Sequence, residues 1–154
     1  ILSIISSIFS AYLITMKNVN WLMILGIIVG LVVGGIAVMF IESIGHTIHS
    51  PIAGSDMENP EVIKAYIDSA PVLAILMVPI AWLMGSFFGS LTSTLISRSS
   101  WRLNRFVISS LFLLISLMML IQIPSPWYMW ALAFSLIFPM GFLGTGLARI
   151  IRKT

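Results

Sequence analysis

Glu42, His46 and His49 are the residues whose types and spacing could do chemistry in this sequence. Steps of four and then three residues place all three side chains on one face of a helix. A carboxylate beside an imidazole can relay protons, because histidine titrates near neutral pH. The same trio can bind a divalent metal, with Asp56 or Glu58 supplying a further ligand from the following loop. A third interpretation is structural: Glu42 and His46, one turn apart, form an interfacial pair that anchors the helix end.

No catalytic residue is assigned, because the His-Glu-x-x-His pattern of zinc hydrolases is absent. Ser43 and Gln122 are polar residues that could join the cluster around Glu42. No cofactor is predicted, apart from the divalent metal of the second interpretation.

The composition indicates which solvent surrounds the helix that carries this cluster. Hydrophobic residues make up 59% of the chain and charged residues 8%, and the mean hydropathy is +1.10. Soluble domains carry roughly 25% charged residues, because a surface in water needs them. Lipid is therefore the predicted solvent for most of the surface. The net charge of +3 is scattered beside apolar runs, so nucleic acid is not a predicted partner.

Four apolar stretches are long enough to cross a hydrocarbon core of about 30 Å. The spans are predicted at residues 21–48, 71–97, 106–123 and 127–148. Each crosses as a helix, since only a helix or a closed barrel satisfies its own backbone in lipid. The sequence thus predicts an all-α fold, a polytopic transmembrane helical bundle forming a single domain over residues 1–154.

Two further segments leave the number of helices open. Residues 1–16 are uncharged and would extend about 24 Å as a helix. They are predicted as a truncated extra span, an interfacial helix or the remnant of a signal segment. Residues 51–70 form a polar loop in which Asn59-Pro60-Glu61 is typical of a helix start. That start predicts a short amphipathic helix on the membrane surface.

The lysines and arginines predict the orientation. If four spans alternate from Trp21, then Lys17, the arginines of residues 98–105 and the basic carboxyl terminus share one side. Lys64 lies on the other side, within the acidic loop 51–70. Positive charge favours the cytoplasm, so residues 98–105 and the carboxyl terminus are predicted inside and residues 51–70 outside.

Small residues recur every four positions in the first two spans. The rows are Gly26, Gly30 and Gly34 in the first and Ala81, Gly85, Gly89, Ser93 and Ser97 in the second. In lipid, helices associate through close backbone approach at small residues, so these rows are predicted to face each other like a glycine zipper. A homodimer interface is the alternative, and the sequence leaves both open.

The stretch from Trp21 to Ser97 resembles small, functionally uncharacterised bacterial integral membrane proteins with four predicted spans. In these proteins a glycine-rich first helix ends in a Glu-x-x-Gly-His element, followed by a proline and an acidic loop. Here the element is Glu42-Ser43-Ile44-Gly45-His46, and Pro51 follows it. The resemblance implies a bacterial inner-membrane protein and transfers no catalytic residue.

Three functions are compatible with these features. The first is a non-enzymatic accessory subunit or a self-associating bundle, with the lipid bilayer and a membrane protein or a second copy as partners. The second is a small transporter or channel-like protein that handles protons or cations at Glu42 and His46. The third, a metal-binding membrane protein or metalloenzyme, has the least support, because no motif supplies a third ligand and a base.

Overall fold

The computed structural model describes residues 21–50, 59–97, 100–122 and 125–153. In this part of the chain there are five helices and no strand, so the predicted all-α class is confirmed. The helices are α1 Trp21–Ile48, α2 Pro60–Ser69, α3 Val72–Ile96, α4 Trp101–Gln122 and α5 Trp127–Ile151. The four longer ones are long and apolar enough to cross a membrane. The helix predicted in residues 1–16 lies outside the described residues.

Helix α4 begins at Trp101, earlier than the predicted start at Phe106. The reason lies in Asn104, which is fully buried although it lies between Arg102 and Arg105 in the sequence. Its Nδ2 atom donates to Ser93 Oγ at 2.8 Å and to the Met23 carbonyl at 3.3 Å. These bonds join the first turn of α4 to both α3 and α1, so a segment that resembles a loop in sequence is helical.

Helix α3 is the centre of the bundle and packs against α1, α4 and α5. Along one face its small residues lie against those of α1. A Cβ atom built on Gly30 would lie 2.6 Å from the Gly89 carbonyl oxygen, and one on Gly34 would lie 2.6 Å from that of Gly85. Only glycine allows this approach, because a side chain at either position would overlap the neighbouring backbone.

A second face of α3 carries hydroxyl groups toward α5 and α4. Ser86 Oγ donates to the Ile137 carbonyl at 2.9 Å and lies 3.1 Å from Ser109 Oγ. Further along α3, Thr94 Oγ1 lies 3.2 Å from Thr145 Oγ1 of α5. These buried groups satisfy one another in a place that water does not reach, and they fix the register of the three helices.

Helix α2 is short and amphipathic, and it joins α1 to α3. Its start is capped by Asn59, whose Oδ1 accepts from the Glu61 backbone N–H at 2.9 Å, and Pro60 occupies the first turn. Both features match the sequence pattern. The end of the bundle that carries Glu42 and α2 is called the acidic end below. The opposite end, with Arg102 and Arg149, is called the basic end.

The contact between α1 and α3 yields a stability prediction. Gly30→Ala places a methyl group against the Gly89 carbonyl and the Ile108 side chain, so the helices must separate. We expect a loss of about 1–3 kcal/mol, the usual range for overpacking. Gly146→Ala is the control, because a Cβ atom there meets open space. Thermal unfolding in a neutral detergent measures both; equal stabilities would contradict the packing argument.

Candidate functional site: a cavity at the acidic end

A cavity of about 300 Å³ lies between the ends of the spanning helices at the acidic end. All four spanning helices contribute to its wall, α4 through Met119, and α2 contributes Ile63, Tyr66 and Ile67. Most of the wall is apolar, with Met77 and Trp82 among the larger side chains. A cavity of this size and character is typical of sites that hold a small organic molecule.

Glu42 and His46 both line this cavity. Glu42 is half-buried and His46 is exposed, and the two interact electrostatically across one helical turn. Between them lies Gly45, which is buried; a Cβ atom there would lie 3.1 Å from Met77 Cβ. The close approach of α1 to α3 therefore continues to the acidic end and brings the carboxylate against the cavity wall.

His49 has a different environment from the other two. Its ring stacks on that of Tyr66, with centroids 4.7 Å apart, and its carbonyl accepts from the Tyr66 hydroxyl at 2.6 Å. Ser69 Oγ lies 3.4 Å from His49 Nε2. Burial raises the pKa of Tyr66, so the phenol stays a neutral donor. His49 is thus held by α2, and it fastens that helix to the end of α1.

Among the described residues, no third metal ligand joins Glu42 and His46. No group of three or more histidine, aspartate or glutamate side chains that could hold a metal occurs among residues 21–50, 59–97, 100–122 and 125–153. Asp56 and Glu58 lie outside these residues. Ser43 is exposed and its hydroxyl donates to the Phe40 carbonyl at 2.7 Å, while Gln122 is exposed at the end of α4.

Two contributors to the site are absent from the sequence-based set. Tyr66 stands on the apolar face of α2 in the sequence, and nothing in its spacing indicates a bond to His49. Trp82 lies within a predicted span, directly after Ala81, the first residue of the small-residue row. One feature of the sequence does indicate a site here. The span that ends in a carboxylate and two histidines is followed, after a short loop, by an amphipathic helix.

Four helices that can span a membrane, together with an amphipathic helix over a mainly apolar cavity, define a multi-pass helical membrane protein. No protein-family model, curated protein or solved structure matches the chain. The site itself must therefore supply the argument for function.

The contact between α2 and His49 leads to a prediction about mobility. Tyr66→Ala removes both the stacked ring and the hydroxyl, so α2 should separate more often from α1. Hydrogen–deuterium exchange should then accelerate by roughly tenfold across Pro60–Ser69, as expected for a loss of about 1.4 kcal/mol. Tyr66→Phe keeps the ring and should show an intermediate rate. Unchanged exchange in Tyr66→Ala would show that α2 is held by other contacts.

Proposed function

We propose that the protein binds a small organic cation with an apolar body in the cavity at the acidic end, as the recognition step of a small transporter. The observation that carries this proposal is the combination of a mainly apolar wall with the half-buried carboxylate of Glu42. The apolar body of such a ligand would contact the apolar wall, and its positive charge would pair with the carboxylate. Binding of such a cation corresponds to the transport hypothesis, one of the three functions compatible with the sequence.

The charge of the ligand follows from the charged groups of the wall. Among the described residues that line the cavity, Glu42 is the only carboxylate and there is no lysine or arginine, while its neighbour His46 is exposed. A protonated amine would form a charge-assisted hydrogen bond with this carboxylate. In a partly desolvated site that bond is stronger than at an open surface, because the local dielectric constant is lower.

The body of the ligand follows from the rest of the wall. Side chains such as Ile63, Met77 and Trp82 offer apolar surface and no charge. A hydrated inorganic cation gains little there, since Mg²⁺ and Ca²⁺ need about six oxygen ligands. An aromatic or aliphatic group removes that apolar surface from water and is favoured. The volume of about 300 Å³ is suited to a molecule with one ring and a short chain.

Helix α2 controls access to the cavity in this proposal. This helix covers the cavity through Ile63 and Ile67 and is fastened by Tyr66. Local opening of a short helix costs less than opening a spanning helix, because less surface is exposed. Movement of α2 is therefore the proposed route of entry.

The distribution of basic residues bears on which side of the membrane the cavity opens. The basic residues Arg102, Arg105 and Arg149 belong to the basic end, whereas Lys64 lies at the acidic end with Glu61 and Asp68. On the positive-inside rule we propose that the cavity opens at the outer face, and the resemblance of the sequence supports a bacterial inner membrane. The accessory-subunit hypothesis stays a prediction, and so does metal binding that uses Asp56 or Glu58.

Binding that depends on ligand charge tests the proposal. Phenylbutylamine, phenylbutanol and phenylbutyrate share a shape and differ in charge, and each is titrated calorimetrically into protein in nanodiscs of neutral lipid, with empty nanodiscs as blank. The amine should bind most tightly and the acid least. Glu42→Gln should weaken amine binding by roughly tenfold, as expected for one charged hydrogen bond, and leave the alcohol unchanged.

Two further variants make the result specific to the cavity. Glu61→Gln removes an exposed carboxylate that does not line the cavity, so amine binding should persist. Ala74→Leu fills part of the cavity and should weaken the amine and the alcohol alike. Equal affinity for amine and acid, or amine binding that survives both Glu42→Gln and Ala74→Leu, would refute the proposal.

The orientation has its own test, which uses the absence of cysteine from the sequence. Single cysteines in place of Lys64 and Lys153 are labelled on intact bacterial cells with a membrane-impermeant maleimide. Lys64→Cys should react from outside, and Lys153→Cys should react only after the cells are opened. Reaction of both on intact cells, or the reverse pattern, would contradict the proposed orientation.

A further inference from the structure

Three arginines gather around a single indole at the basic end of the bundle. The guanidinium carbons of Arg102, Arg105 and Arg149 lie 5.0, 5.6 and 4.6 Å from the centroid of the Trp101 ring. Arg105 also lies over the Phe142 ring, 3.5 Å from its centroid. Trp101, Arg102 and Arg105 belong to the first turns of α4, and Arg149 to the last turns of α5.

This arrangement leaves positive charge that the described residues do not neutralise. Their side-chain carboxylates, Glu42, Glu61 and Asp68, all belong to the acidic end. Arg102 and Arg105 repel each other. Contact with an aromatic ring attracts a cation without cancelling its charge, so the repulsion between Arg102 and Arg105 persists. An anion between them would remove it.

The chemistry of the cluster selects a phosphate group. Guanidinium groups bind phosphate oxygens through paired N–H donors, which is a better geometric match than a single ammonium offers. The positive pole of α4 lies at the same place, since the cluster is built on its amino-terminal turn. Arg152 is not a member of the cluster, because its guanidinium donates to the Thr94 carbonyl at 2.9 Å.

The surface next to the cluster indicates that the phosphate belongs to a lipid. Phe142 is 54% exposed and Phe106 is 60% exposed, and they lie nearer the middle of α5 and α4 than Arg149 and Arg102 do. Tryptophan at the end of a spanning helix is typical of the headgroup level. A lipid headgroup at the arginines would therefore place its acyl chains along these exposed rings.

We propose that Arg102, Arg105 and Arg149, arranged around Trp101, form a binding site for the phosphate of an anionic phospholipid. The site is independent of the cavity at the acidic end, which lies at the other end of the same helices. A bound lipid would link α4 to α5 by bridging arginines from both helices. Anionic lipid therefore stabilises the pairing of these two helices in the bilayer.

Native mass spectrometry of the purified protein tests the site. Phosphatidylglycerol and phosphatidylcholine with identical acyl chains are added in turn, and inorganic phosphate is added as a separate competitor. Phosphatidylglycerol should bind in preference and should raise the temperature of unfolding. Arg149→Gln and Arg102→Gln should each weaken its binding by about fivefold, the effect of about 1 kcal/mol per basic residue near anionic lipid.

The matched control is Lys153→Gln, which removes one positive charge at the same end outside the cluster. It should leave phosphatidylglycerol binding unchanged. Arg105→Lys keeps the charge and loses the planar donor pair, so it should weaken binding while the protein stays folded in phosphatidylcholine. Equal binding of both lipids, equal losses in Lys153→Gln and Arg149→Gln, or displacement of the lipid by inorganic phosphate would each overturn the proposal.

Discussion

Close contact between the backbones of α1 and α3 is the constraint on which the rest of the structure depends. Water provides no hydrophobic drive between helices inside a bilayer, so their association rests on packing and on polar contacts between helices. Gly30 and Gly34 bring α1 onto the carbonyl groups of α3, and Gly45 continues the approach to the acidic end. If α1 stood further from α3, Glu42 would not reach the cavity wall and Asn104 could not span both helices.

The two faces of α3 contact their neighbouring helices through different kinds of interaction. Glycines on the side of α1 allow contact through shape, whereas Ser86 and Thr94 on the side of α5 form hydrogen bonds across the interface. Shape alone permits sliding along a helix, because a row of small residues repeats itself every turn. Buried hydroxyl pairs remove that freedom, since a shift of one turn would leave each group without its partner.

The two ends of the bundle differ in charge and in the kind of apolar surface that accompanies it. At the acidic end a short helix covers an apolar cavity with a carboxylate in its wall, which favours a soluble cation that arrives from water. At the basic end, arginines surround the Trp101 ring, and this arrangement is the basis for the proposed binding of a lipid anion. Both proposals follow from the pairing of charge with apolar surface, and each uses groups that the other does not.

Composition and hydropathy alone determine the all-α class and the number of long apolar helices from Trp21 onward, because a chain without water must satisfy its backbone within each helix. The amphipathic helix is also readable, from Asn59 and Pro60 and the polar pattern that follows. Only the tertiary structure decides that Asn104 is buried, that His49 is held by Tyr66, and that Glu42 faces a cavity. Those facts depend on contacts between residues far apart in sequence, and helical spacing places residues on a face without saying what that face meets.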